Sequence, residues 1–253
     1  MKERLLKLSG GELAYLHREG EGPSLIFLHG AGNRAGHLSA LAEALPERAV
    51  VIPEARGRGR SAGLPAGSME ERAAEMIELI SALGLEDVVL LGHSLGGGLA
   101  LEMALKKPAQ LRALVLMCTG ARLRVRPEIF ESVRAGALPF DPYSPALGVD
   151  ERARLAALEE SVPPEAALLD WASADGFDRM VEVESISLPT LIIAGEDDVM
   201  TPPKYARYLA STMPNAELAI VAEGGHMLPM ERPAEAAERI DRFLKSCELS
   251  GEP

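Results

Sequence analysis

The run Val88-Val89-Leu90-Leu91-Gly92-His93-Ser94-Leu95-Gly96-Gly97 joins an apolar strand to a helix through a serine flanked by glycines. A side chain at the apex of so tight a strand-to-helix turn takes a strained, left-handed backbone conformation. Side chains two residues either side would then collide, a clash that Gly92 and Gly96 avoid. The turn pushes Ser94 Oγ clear of the fold. It also aims the Leu95 N–H, at a helix N-terminus, toward any negative charge developing there. The competing reading is an ordinary glycine-rich turn or a phosphate-binding loop. This stretch has neither Gly-Lys-Ser nor Gly-x-Gly-x-x-Gly, one of which a phosphate loop needs.

Outward from the turn, short apolar runs alternate with longer segments of helical period, the pattern of an α/β sheet. The runs cover 24–28, 49–52, 88–91, 111–117, 190–193 and 218–221. They scarcely alternate in polarity, as parallel strands covered on both faces require. Residues 5–8 and 13–18 predict an antiparallel hairpin turned at Gly10-Gly11. Ser68 is placed to cap a helix carrying Met76, Leu79 and Ile80 and ended by Gly84; further helices are predicted over 95–106 and 233–243. Between about Arg122 and Ser187 the strand-like runs vanish. Helical patches at 127–134, 150–160 and 164–174 replace them, with Pro139, Pro142 and Pro145 breaking the middle. The expectation is one core domain, residues 1–121 and 188–253, with a helical insertion over 122–187.

Leu28-His29-Gly30-Ala31-Gly32 ends an earlier strand in a side-chain-poor loop, where backbone N–H groups can approach a ligand. With the serine turn, it makes the Ala31 N–H a second donor to an oxyanion, beside that of Leu95. A base for the serine should be a histidine, whose ordinary pKa of about 6.5 allows uptake and return of a proton near neutrality. His17 and His37 read as solvated, and His29 and His93 as supports of tight turns. That leaves His226, in Gly224-Gly225-His226-Met227 after the last apolar run. An acid belongs after a strand end and before the histidine in this chain order. Gly195-Glu196-Asp197-Asp198 offers Asp198, with Asp197 as the alternative. Here the bland reading is an acidic helix start, with Thr201 as its cap. Cys118-Thr119-Gly120-Ala121, after the strand ending at Met117, offers no carboxylate.

The large apolar residues of the insertion, Phe130, Phe140, Trp171, Phe177 and Met180, together with Met227 beside the base, are candidates for lining a substrate pocket. Packing residues are the alternative for each. Arg122, Arg124 and Arg126 form a basic cluster near a strand end, where they could hold a substrate carboxylate or simply be solvated.

The chain has 253 residues, 47% hydrophobic and 25% charged, enough apolar material for a sizeable core. A formal net charge of −12 argues against nucleic acid and gives no attraction to anionic membranes. The N-terminal residues are too broken by charge for a signal peptide, and no apolar run is long enough to span a bilayer. Cys118 and Cys247 lie far apart and read as a buried strand residue and a helix-end thiol. The expectation is a cytoplasmic protein that needs no metal or organic cofactor; the oligomeric state is left open.

Taken in order, His29-Gly30, Gly92-His93-Ser94-Leu95-Gly96-Gly97, Gly195-Glu196-Asp197-Asp198 and Gly225-His226 make the chain resemble the α/β-hydrolase superfamily, in its single-domain carboxylesterase and enol-lactonase-like branch. Arg56-Gly57-Arg58-Gly59-Arg60-Ser61 looks like the family's Gly-x-Gly-x-Ser loop, with Glu54 where that family usually has Asp. The resemblance implies an eight-stranded, mostly parallel sheet with helices on both faces, and a small helical lid formed by the insertion. It also implies a small-molecule substrate: a small carboxylic ester, cleaved through an acyl-enzyme on a Ser94–His226–Asp198 triad. The alternatives are a lactonase or carbon–carbon bond hydrolase on the same residues, or a non-catalytic ligand-binding member of the fold.

Overall fold

The computed structural model describes residues 1–136 and 147–249. The chain opens with β1 (Lys2–Leu8), β2 (Gly11–Arg18), β3 (Glu21–Leu28), α1 (Ser39–Glu43) and β4 (Arg48–Pro53). Then come α2 (Met69–Ala82), β5 (Val88–His93), α3 (Leu95–Leu105) and β6 (Leu111–Met117). The next helices are α4 (Pro127–Arg134), α5 (Val149–Glu160) and α6 (Pro164–Asp175). β7 (Thr190–Gly195), α7 (Pro203–Thr212), β8 (Ala216–Val221), α8 (Leu228–Glu231) and α9 (Pro233–Leu249) follow.

The strands form one eight-stranded sheet in the order β1-β2-β4-β3-β5-β6-β7-β8. The β1–β2 and β2–β4 pairs are antiparallel and all others parallel. The weak alternation of the apolar runs now has its physical cause. Ile26, Leu28, Leu90 and Leu116 enter a core with Leu79 and Ile80 of α2 and Leu101 of α3. Their neighbours Leu25, Phe27, Leu91 and Met117 enter a second core on the opposite face, with Leu41 of α1 and Ile240 and Phe243 of α9. Both faces of the central strands are covered, so β5 and β7 are buried along their whole length and are almost entirely apolar.

The helix ends follow local chemistry. Ser68 Oγ accepts the Glu71 N–H at 3.2 Å, and Gly84 takes the left-handed conformation (φ +65°) just past the end of α2. Thr201 does not cap α7, which starts at Pro203; its hydroxyl turns toward Asp198 instead.

The stems leading to and from α4–α6 are pinned together. Arg122 and Asp178 form an isolated antiparallel bridge, the Leu123 N–H donates to Phe177 O at 3.2 Å, and the Arg179 N–H to Ala121 O at 2.8 Å. Beyond this bridge Val183 and Ile186 pack into the same core as α3.

Register puts the strand ends level. Leu28 pairs with Gly92, Gly92 with Leu116, Met117 with Ile193, and Gly195 with Val221. The loops carrying Ala31, Ser94, Asp198 and His226 therefore all leave the carboxyl edge of the sheet, where open parallel sheets hold their ligands.

Candidate active site

Ser94 has φ 55° and ψ −120°, the strained turn that the flanking glycines predict. A Cβ on Gly92 would stand 2.2 Å from Gly96 O, and one on Gly96 would stand 2.0 Å from Leu28 O. No side chain fits at either position. The turn is held in place: the Ser94 N–H donates to Met117 O at 3.0 Å, and Ser94 O accepts the Thr119 hydroxyl at 2.8 Å and the Gly97 N–H at 2.9 Å.

The structure brings Ser94, His226 and Asp198 into one hydrogen-bonded line. His226 Nε2 lies 3.1 Å from Ser94 Oγ, and His226 Nδ1 lies 3.0 and 3.1 Å from the two Asp198 oxygens. With Nδ1–H donating to the carboxylate, Nε2 is left to accept the serine proton. Asp198 also accepts the N–H groups of Met200 and Thr201, each at 2.8 Å, and the Thr201 hydroxyl at 2.7 Å. Burial alone opposes ionisation of Asp198. Its pairing with His226, together with the Thr201 donors, overcomes this and holds the carboxyl well below its usual range. Asp197 is exposed and makes no such contact.

The other histidines divide. Burial, together with the neighbouring His226, pushes His93 down to about 3. As a neutral ring it donates from Nε2 to His226 O at 2.8 Å and so fixes the backbone at His226. His29 donates from Nδ1 to Gly30 O at 2.9 Å and accepts the Ala55 N–H at Nε2. His37 departs from the expectation of a solvated ring. It is fully buried against α5 and accepts the Arg34 N–H, and burial pushes it down to about 3.

The loop after β3 presses against the serine: a Cβ on Gly30 would lie 3.2 Å from Ser94 Cβ. Ala31 and Leu95 line one cavity with Ser94 and His226, and among the described residues neither N–H has a protein acceptor. The neighbouring Gly32 N–H is taken at 3.0 Å by Asp170 of α6. That carboxylate is itself clamped by Arg58 and Arg72, both at 2.7 Å. Glu54 accepts from Arg34 and, at 3.0 Å, from the Ala35 N–H, bracing the far end of the same loop.

The cavity has a volume of about 310 Å³. Of the pocket candidates, Trp171 lines it, together with Leu123, Ile129, Met200 and Tyr205. The other described candidates face elsewhere. Phe130 packs on α6, and Phe177 is buried in the core beside Gly98. Met180 borders an adjoining groove, and Met227 turns away from the serine to pack with Leu155 and Met230. Helical phase decides this for Phe130, because α4 turns its neighbour Ile129 toward the cavity instead. Phe140 lies outside the described residues.

Two supports of the site, Thr201 and Asp170, do not emerge from the sequence. The Asp-x-x-Thr spacing of Asp198 and Thr201 is a usable signal, but it reads equally well as a helix cap. Asp170 gives none, because its partner Gly32 is 138 residues away.

A family model for the alpha/beta hydrolase family matches residues 25–239. The chain belongs to that family. This alpha/beta hydrolase is 31% identical over 229 residues to a protein of Stutzerimonas stutzeri (strain A1501) named as a carbamate hydrolase, RutD. That match covers 82% of this chain and 86% of the relative. An esterase structure from Thermogutta terrifontis superposes with a TM-score of 0.81 at 24% identity, covering 98% of this chain and 99% of that one. The enol-lactonase of Burkholderia xenovorans LB400 gives 0.83 at 21% identity, covering 96% and 100%. At these identities the structural likeness speaks to the fold. No helix among the described residues is long and apolar enough to cross a membrane.

Proposed function

We propose that this alpha/beta hydrolase cleaves a small carboxylic ester through an acyl-enzyme on Ser94. The observation that carries the reading is the unbroken line from Ser94 Oγ through His226 to Asp198, opening into the 310 Å³ cavity. Ser94 attacks the ester carbonyl as His226 Nε2 takes its proton, and Asp198 holds the imidazole in the tautomer that leaves Nε2 free. The N–H groups of Ala31 and Leu95 stabilise the tetrahedral oxyanion. His226 then passes its proton to the leaving alcohol, and a water activated by the same imidazole releases the acid. Helices α4 and α6 act as the lid, with Ile129 and Trp171 as the walls that limit substrate size.

The line also makes Asp198→Asn informative. An amide that donates toward Nδ1 favours the wrong tautomer, so kcat for ester hydrolysis is expected to fall roughly 10⁴-fold with little change in KM. Steady-state kinetics on the purified variant check this; a loss under tenfold would remove Asp198 from the mechanism.

The RutD name brings carbamates into consideration, since their carbonyl is open to the same attack. A panel of 4-nitrophenyl esters of graded acyl length, a simple lactone and an alkyl carbamate tests the proposal. Esters are expected to turn over best, with an optimum at short to medium acyl length. If the lactone or the carbamate reacts and no ester does, the ester assignment is wrong.

A further inference from the structure

We infer that the substrate carries a carboxylate and that Arg124 is the residue that holds it. The inference rests on the serine-hydrolase reading of the Ser94 cavity and names its substrate class. Described residues lining that cavity include Arg124 and Arg126 and no Asp or Glu. A second cavity of about 370 Å³ adjoins it, lined by Ala121, Arg122, Arg124, Met180, Lys204, Tyr205 and Tyr208, again with no carboxylate among the described residues. Arg124 and Tyr205 border both, so the two cavities meet at these side chains.

The sign of these two cavities is opposite to that of the molecule. The chain carries a formal net charge of −12, yet the charged residues described along its cavity and groove are all cations. Two of the neighbouring cations have contacts of their own. Arg122 pairs with Asp178 at 3.3 Å, and Lys204 sits over the Tyr205 ring, 5.6 Å from its centroid. Arg124 lies at the junction of the two cavities, and among the described residues no hydrogen-bond or ion-pair partner engages it. Arginine suits such a role, because its planar fork meets a carboxylate through two parallel N–H bonds. At physiological salt the attraction is felt within about 8 Å, so it acts on the substrate's own tail once bound.

Two matched substrate pairs test this, since the charge can sit on either side of the scissile bond. Mono-4-nitrophenyl glutarate against 4-nitrophenyl 5-methylhexanoate charges the acyl side. 4-Acetoxybenzoate against its methyl ester charges the leaving side. The parent is expected to prefer the anion in at least one pair by tenfold or more in kcat/KM, expressed mainly in KM, and to lose much of that preference in 0.5 M NaCl. Arg124→Gln should bring the ratio close to one and Arg124→Lys should restore part of it. Arg242→Gln, a charge removed from the exposed face of α9, should leave the ratio as in the parent. Turnover of the neutral esters without any anionic preference, or a preference that survives Arg124→Gln, overturns the inference and leaves the hydrolase reading standing. No turnover of any of the four esters defeats both.

Discussion

Ser94→Ala is expected to lower kcat for ester hydrolysis by roughly 10⁵–10⁶-fold, about 7–8 kcal/mol of transition-state stabilisation, while the protein stays folded. Both halves follow from the turn. Alanine keeps the Cβ and can take the same backbone conformation that serine holds at φ 55°. The bonds that fix the turn run through the Ser94 backbone, to Met117, Gly97 and Thr119, and none of them uses Oγ. Among the described residues Oγ bonds His226 alone, so alanine removes the reacting group and leaves the turn intact. A residual rate above the uncatalysed reaction should persist, because Ala31, Leu95 and the cavity still bind the carbonyl. Initial rates on the most reactive 4-nitrophenyl ester, with a thermal melt of each protein, are the measurement. A variant that melts with the parent and retains more than about a tenth of its rate contradicts the assignment.

Asp170→Asn is expected to give the largest loss of stability. Asp170 is fully buried and bonds Arg58, Arg72 and the Gly32 N–H. The Arg58 side chain is itself fully buried, and among the described residues its Nε and Nη2 have no partner, so Asp170 is its main charge compensation. Breaking such a pair from one side costs about 3–5 kcal/mol, which for a chain of this size lowers Tm by about 6–20 °C. Burial opposes ionisation of Asp170, but Arg58 and Arg72 outweigh it and hold the carboxyl below its ordinary range. Its contribution to stability is therefore complete above the unfolded carboxylate pKa of about 3.9 and is lost as pH falls through the lower folded value. The difference in Tm between parent and variant should be constant from pH 5 to 8 and shrink below about pH 4. Replacing both charges, Asp170→Leu with Arg58→Met, should recover part of the loss, since an apolar pair leaves no uncompensated charge. Equal melting of parent and Asp170→Asn at pH 7 would show that the clamp contributes little.

The same carboxylate joins α6 to the loop after β3. Asp170 and Trp171 are consecutive on α6; one grips Gly32, next to Ala31, and the other lines the cavity. Helix α6 is thus fastened to the core by a buried ion pair, which makes it a fixed wall of the site.

How far these features can be read in the sequence depends on the distance over which each is encoded. Ser94 is legible because its constraint lies within five residues, where the glycines answer a clash that the turn itself creates. His226 and Asp198 are legible because parallel strands bring their following loops to one edge, so chain order and strand ends suffice. The strands are legible for the same reason their polarity hardly alternates: both faces are buried. What resists reading is side-chain direction. His37 has the sequence surroundings of a surface residue until packing buries it, and Met227 adjoins His226 in the chain yet points away from Ser94. The Asp170–Arg58–Arg72 clamp joins three separate segments, and no local pattern announces it.

The proposed mechanism requires a covalent bond between the substrate's acyl group and Ser94. Brief mixing with a 4-nitrophenyl ester, an acid quench and mass spectrometry of the intact and digested chain would detect it. The predicted result is a mass increase of one acyl group, located on the peptide that contains Ser94 and absent from Ser94→Ala. An acyl group on any other residue, or Ser94→Ala turning over the ester at the parent rate, would contradict the mechanism at its root.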